Sequence, residues 1–266
     1  MPTTMPGLGL LRHRRPTSIE ASVYEPVMCL ILQGRKETRS GSLRVDFGAG
    51  ESLVVTHHLP VVSQVTLAPY LALLLTIDRN VLLSLSHEVD NAVEHKGPVT
   101  SLSVARIEPS LVDALARYVA LLRKPQDAQA LGPLILREIH YRLLTAPHGA
   151  LLRRLLSEES NASHIARAID IIRKDYGAEL RIPALARAIG MSGSAFHRQF
   201  RAVTGTTPLQ YQKEMRLLEA RRLITSTGCS VSHAALEVGY VSPSQFSREY
   251  RRKFGVPPGR KMGAFG

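Results

Sequence analysis

Residues 231–258 read VSHAALEVGYVSPSQFSREYRRKFGVPP, and this stretch decides the C-terminal half of the fold. Val231, Ala234, Ala235 and Val238 recur at spacings of three and four, which puts an apolar stripe on a short helix. Gly239 follows, a residue suited to the left-handed backbone of a helix C-terminal turn. Ser242 is placed to cap a second helix, with Pro243 at its first position and Gln245 at the capping-box position. Phe246 and Tyr250, four apart, anchor that helix to a core. Ser244, Gln245, Ser247, Arg248 and Arg251 then face outward. A short helix, a tight glycine turn and a capped helix with a polar-basic face make a helix-turn-helix unit.

The pattern also occurs earlier in the chain. Ile182, Leu185, Ala186, Ile189 and Gly190 match Val231, Ala234, Ala235, Val238 and Gly239 at an offset of 49. The second turn is one residue longer. Phe196, Arg198, Phe200, Gly205 and Pro208 therefore match Phe246, Arg248, Tyr250, Gly255 and Pro258 at an offset of 50. Ser192 stands as the cap, and Ser194, His197, Arg198 and Arg201 form the outward face. A generic three-helix bundle imitates one copy; two copies with matching anchors point to a pair of reading units. Between them, Thr207 and Pro208 open a helix with Met215, Leu218, Ala220 and Leu223 apolar. Such a connector fixes a separation, and two recognition helices on one DNA face must sit about one turn, ~34 Å, apart.

Charge agrees with this reading. The 266 residues hold 34 Lys+Arg and 22 Asp+Glu, a net +12. Residues 161–266 hold 17 of the basic and 7 of the acidic groups, so nearly all the excess lies there. Charge alone fits a nucleic acid or an anionic membrane surface; the repeat selects DNA. Cys29 and Cys229 stand far apart and form neither a disulfide framework nor a metal-ligand spacing. The N-terminus lacks the order of a signal peptide, and no apolar run approaches the ~20 residues that span a bilayer. The expectation is a cytoplasmic protein with no membrane partner and no cofactor.

In the front half, residues 1–20 are rich in Pro, Thr and Gly, and basic, and read as a flexible arm. Val27–Gln33, Ser52–Thr56, Val61–Leu67 and Leu71–Ile77 read as strands separated by Gly and Pro, the texture of a sandwich or barrel. Helices follow at about 110–124 and 133–145, able to pack on their own domain or to pair with a second subunit. The expected domains are 21–156 and 164–266, joined by a polar linker at 157–163. The first helix-turn-helix lies at about 182–204, the connector at 208–224 and the second unit at about 230–254.

These strings resemble the AraC/XylS family of bacterial regulators. The resemblance is carried by Ile182-x-x-Leu185-Ala186, Phe196-x-Arg198-x-Phe200, Gly205-x-x-Pro208, the helix from Arg216 to Leu223, and the long string from Ala234 to Pro258. Tyr24-Glu25-Pro26, Leu32-Gln33-Gly34-Arg35-Lys36, Gly48-x-Gly50 and Leu53-Val54-Val55 resemble the β-rich front domain of one subgroup. The resemblance implies an α+β multidomain chain: a cupin-like (jelly-roll) domain, two helices, then an all-α domain with two helix-turn-helix motifs. It implies a sequence-specific transcription factor that engages two adjacent major grooves of double-stranded DNA and is modulated by a small-molecule effector. No residue identifies that effector or its pocket. A second copy of the chain and RNA polymerase are further candidate partners, and activation and repression fit equally.

Helix position assigns candidate roles. Ser194, His197 and Arg198 in the first recognition helix, and Ser244, Gln245 and Arg248 in the second, are placed to face base edges. Arg reads guanine and Gln reads adenine through paired hydrogen bonds. Arg201, Arg251, Arg252 and Lys253 lie late in the helices, where phosphate contact is expected. Arg198 and Arg248 remain open between base reader, phosphate clamp and internal brace. His57-His58 brings to mind a cupin metal site, but adjacent strand residues point to opposite faces. The alternative function is a cupin-like metal-dependent enzyme domain fused to a DNA-binding module; no catalytic constellation supports it, and no metal is expected.

Overall fold

Strand periodicity organises the front half of the computed structural model, which describes residues 3–86, 88–89, 100–157 and 160–259. Its strands are β1 (Leu8–His13), β2 (Glu20–Tyr24), β3 (Val27–Ser40), β4 (Leu43–Gly48), β5 (Glu51–Val55), β6 (Leu59–Thr76) and β7 (Leu102–Arg106). They form one antiparallel sheet in the order β1-β6-β3-β5-β7, with β2 also on β6 and β4 also on β3. Successive side chains alternate between two cores. Cys29, Ile31, Leu53, Val55 and Ala72 enter one; Met28, Leu30, Val54, Leu73 and Leu75 enter the other.

The second core is covered by α1 (Arg79–Leu85), α2 (Pro109–Ala120), α3 (Pro125–Thr145) and α4 (Gly149–Leu156). The first core runs on into the C-terminal half, through α5 (Asn161–Lys174), α6 (Ile182–Ala188), α7 (Gly193–Thr204) and α8 (Pro208–Arg222). Ile165, Ile169, Phe196, Phe200 and Tyr211 belong to the same buried cluster as the strand residues. Then α9 (Val231–Glu237) and α10 (Pro243–Phe254) build a separate small core, to which α8 contributes Leu217 and Ala220. Among the described residues no helix is long and apolar enough to cross a membrane.

A bulge changes which side chains face inward along β3. The β3–β6 register shifts between Ile31 and Lys36. Gly34 sits there at φ +85°, and a Cβ on it would lie 2.4 Å from the Leu67 carbonyl oxygen. Before the bulge, odd-numbered Cys29 and Ile31 point inward; after it, even-numbered Lys36, Thr38 and Ser40 are buried.

Several expectations need correction. Residues 8–13 are not a flexible arm: they form β1, paired along β6 from Leu8–Leu75 to His13–Tyr70. The run is short, but Leu8 and Met5 bury in the helix-covered core. The strands expected at 61–67 and 71–77 are one strand, β6. The second helix starts at Pro125, with Pro133 inside it. An interior proline costs ~3 kcal/mol, and burial of Ile135, Ile139, Leu143 and Leu144 offsets it. The linker is shorter than expected, because α5 begins at Asn161 with Ser160 accepting from the Ser163 amide. Residues 1–2 of the arm, 158–159 of the linker and 260–266 of the C-terminal domain lie outside the described residues.

Two buried histidines make this assembly acid-sensitive. His148 bridges Ser52 at 2.9 Å and Ser103 at 3.1 Å, tying α4 to β5 and β7. His57 Nδ1 meets Thr56 at 2.7 Å, and its Nε2 meets the Ala162 carbonyl at 3.3 Å. Burial pushes both rings down to about 4 from 6.5. The unfolded chain therefore binds the proton first. Stability is fully present above pH 6.5 and is lost as pH falls from 6.5 towards 4, by about 1.4 kcal/mol per pH unit for each ring. Urea unfolding at pH 7, 6 and 5 should show this loss, and His148→Gln should remove about half of it, the His57 share remaining. An equal slope in the variant would contradict the assignment.

Candidate nucleic-acid interface

The two reading units form as local chemistry dictates. Gly190 at φ +74° and Gly239 at φ +82° close the turns after α6 and α9. Ser192 then accepts from the Ala195 amide and Ser242 from the Gln245 amide, capping α7 and α10 at 3.3 Å each. Phe196, Phe200 and Phe246 are fully buried and Tyr250 nearly so. With these anchors inward, Ser194, His197, Arg198 and Arg201 of α7 are exposed, as are Ser244, Gln245, Arg248, Arg251 and Arg252 of α10.

The serine hydroxyls at 194 and 244 sit beside their capping serines, at 3.4 Å and 2.9 Å. Gln245 turns its amide to Glu249 at 3.4 Å, four residues along α10. Among the described residues Arg198, Arg201, Arg248, Arg251 and Arg252 make no ion pair. Exposure removes the internal-brace alternative for Arg198 and Arg248. Lys253 departs from the phosphate-contact expectation. Its side chain is only 13% exposed, and its ammonium pairs with Glu214 of α8 at 3.0 Å. Lys213 of α8 likewise holds Glu249 of α10 at 2.6 Å, and Tyr240 donates to the other Glu249 oxygen at 2.7 Å. These ties lock α10 against α8.

The internal brace is Arg216, on α8, which residue patterning left without a role. Its Nε donates to the Tyr176 carbonyl at 2.7 Å, and Nη2 donates to Gly177 at 3.1 Å and Ala178 at 2.9 Å. Nη1 donates to Gly239 at 3.2 Å, in the turn of the second unit. Gln212 adds bonds to Tyr176 at 3.0 Å and Ala178 at 2.7 Å. The loop before α6 thus rests on the turn after α9. A Cβ on Gly239 would stand 2.1 Å from the Gly177 oxygen, so this approach requires glycine. The charge pattern of α8 and α10 was a usable signal for the Lys213–Glu249 and Glu214–Lys253 pairs. Nothing local marks Arg216.

The front domain carries an open-sided cavity of about 620 Å³, whose mostly apolar lining includes Leu11, Val27, Phe47 and Leu53, with Glu25 and Thr76 among its polar residues. Lys36 projects into it, 9% exposed, its ammonium 5.3 Å from the centre of the Tyr24 ring. No carboxylate lies within ion-pair distance of it among the described residues. Burial pulls this ammonium down, but the neighbouring Tyr24 and Cys29 outweigh it, and the net direction is up. The Tyr70 hydroxyl, beside the Cys29 thiol, is buried with no oxygen or nitrogen partner. Cys29 is a core residue, as expected. Among the described residues no three His, Cys, Asp or Glu side chains converge as metal ligands would.

Arg216→Ala takes the donor from the half-buried Gly177 and Gly239 carbonyls and one of two donors from Tyr176 and Ala178, which keep Gln212, and it should cost about 1–3 kcal/mol in urea unfolding. Arg216→Lys should restore little of this, because an ammonium lacks the planar fork. Full rescue by lysine would reduce the brace to a point charge.

Comparison with known proteins agrees with this architecture. The family model described as the AraC-type transcriptional regulator N-terminus matches residues 4–151, and a helix-turn-helix domain model matches residues 185–262. The HTH-type transcriptional regulator ExsA of Pseudomonas aeruginosa is 34% identical over 115 residues, covering 43% of this chain and 41% of ExsA. The thermoregulatory protein LcrF of Yersinia pestis is 25% identical over 233 residues, 86% of each chain. An apo form of ToxT from Vibrio cholerae shares the fold, with a TM-score of 0.62 at 12% identity and 97% of each chain covered. ToxT has also been solved with an unsaturated fatty acid bound, and that form matches with a TM-score of 0.60 at 11% identity over 95% of this chain and 92% of ToxT. With both halves of the chain matched, it belongs to the AraC family of transcriptional regulators.

Proposed function

We propose that this regulator reads two half-sites in adjacent major grooves of double-stranded DNA, with α7 and α10 as reading helices. The observation that carries the reading is the pair of capped helices whose polar-basic faces are exposed and whose mounts are braced through Arg216. Ser194, His197, Arg198, Ser244, Gln245 and Arg248 approach base edges; Arg201, Arg251 and Arg252 meet phosphates. Lys253 is withdrawn from that set by Glu214. The protein acts in the cytoplasm, where RNA polymerase and a second copy are its further partners. Exposed Leu131, Leu134 and Tyr141 on α3 offer the second copy an apolar stripe.

Selection from a random DNA pool should yield two half-sites about one turn, ~10 base pairs, apart. A single short site would overturn the two-headed reading. Arg248→Ala should cost about 1–3 kcal/mol and relax preference at one base. Equal loss on every sequence would make Arg248 a phosphate contact. Arg252→Ala should make the salt dependence shallower by about one unit, and an unchanged slope would remove it from the phosphate set.

The effector, in the same proposal, is an amphipathic acid in the front-domain cavity. A buried ammonium with no carboxylate at ion-pair distance, in a largely apolar chamber, favours an anionic head with an apolar tail. The fatty acid bound to ToxT is of this chemistry. Oleate should bind the full chain, and Lys36→Met should weaken it about tenfold, a change of ~1.4 kcal/mol. Methyl oleate, lacking the charge, should be insensitive to that substitution. Equal binding of oleate to both proteins would exclude Lys36 as its partner.

A further inference from the structure

The two reading helices end differently. A helix leaves its last carbonyls without partners inside the helix. At the end of α7 three successive carbonyls are taken by the front domain. The Ser101 amide donates to Val203 at 2.8 Å, and the Ser40 hydroxyl donates to Thr204 at 3.2 Å. The Ser42 amide and hydroxyl both donate to Gly205, at 2.9 Å and 3.1 Å. Backbone meets backbone here. Gly41, at φ +54°, would place a Cβ 2.2 Å from the Gly205 oxygen, and Gly205, at φ +76°, would place one 2.4 Å from the Ser40 oxygen. At the matching end of α10, a Cβ on Gly255 would have open space around it.

The repeat is thus symmetric in sequence and asymmetric in mounting. The docked turn does not cover the reading face, because Ser194, His197, Arg198 and Arg201 stay exposed beside it. We propose that the Ser40–Gly41–Ser42 turn, a part of the front domain, is a positioning element of the first reading head, so that the half-site under α7 depends on this turn and the half-site under α10 does not. The proposal rests on the reading of α7 and α10 as DNA readers.

Hydroxyl-radical footprint titrations of the full-length chain, on DNA carrying both half-sites, test it. Ser42→Ala should weaken protection of the α7 half-site about threefold and Gly41→Ala about tenfold, the scale of one or more lost hydrogen bonds. The α10 half-site should keep its midpoint, and Ser42→Thr, which retains the hydroxyl, should restore the first. Equal weakening of both half-sites, no change in either variant, or tighter protection under α7 would overturn the proposal. Should Gly41→Ala fail to fold, Ser42→Ala with its threonine rescue decides alone. If the unsubstituted chain protects no half-site, the DNA reading falls and takes this inference with it; if it protects two and the variants affect both alike, only the inference falls.

Discussion

Arg216 meets four backbone carbonyls, three in the loop that leads into the first helix-turn-helix unit and one in the turn of the second, and the geometry of the C-terminal domain depends on that meeting. A guanidinium offers five donors in one plane, enough to hold the loop at 176–178 and the turn at Gly239 at the same time. Without it, each unit would still fold on its own anchors, since Phe196 and Phe200 pack in one cluster and Phe246 and Tyr250 in another. What Arg216 adds is their relation. The close approach of Gly177 to Gly239 and the two α8–α10 ion pairs point the same way. A connector that is a single helix from Pro208 to Arg222 transmits the constraint.

The front domain supplies a second constraint through one strand. β3 carries Lys36 into the cavity and ends at Ser40, whose hydroxyl reaches the end of α7. The bulge at Gly34 turns both side chains to the face of Cys29; without its change of parity, Lys36 would share the face of Met28 and Leu30, toward the helix-covered core. A second seam lies at the turn after β5. There Tyr211 donates to the His58 carbonyl at 2.7 Å, and Arg173 meets the His58 ring at 2.8 Å. The sheet core and the first reading unit share one buried cluster, while the second unit stands on α8.

Features set by neighbours in sequence were legible without coordinates. The glycine turns, the serine and threonine caps, the aromatic anchors and the exposed faces of α7 and α10 all follow from spacing over a few residues. Features set by distant partners were not. Arg216 differs in no local way from Arg221 or Arg222, and Lys253 reads like Arg252 until Glu214 is placed beside it. The flexible-arm reading of residues 8–13 failed because β pairing with residues 70–75 outweighs a Pro/Gly-rich flank. The helix α1 and the strand β7 are short and are fixed by their place in the fold, whereas α4 carries Leu152, Leu155 and Leu156 at helical spacing, a local signal that the expected helices left out. Lys36 lay within the motif that suggested the front domain, yet simple alternation from Cys29 would have placed it on the opposite face of the sheet, with Met28 and Leu30.

The central claim is that the two reading heads form one rigid unit. It is tested most directly by altering the spacing of a two-half-site operator and measuring affinity for the full chain. Inserting about 5 base pairs, half a helical turn, should reduce binding to that of a single half-site, because Arg216 and α8 hold the heads on one face. Affinity unchanged by the insertion would show heads that move independently, and would contradict the account.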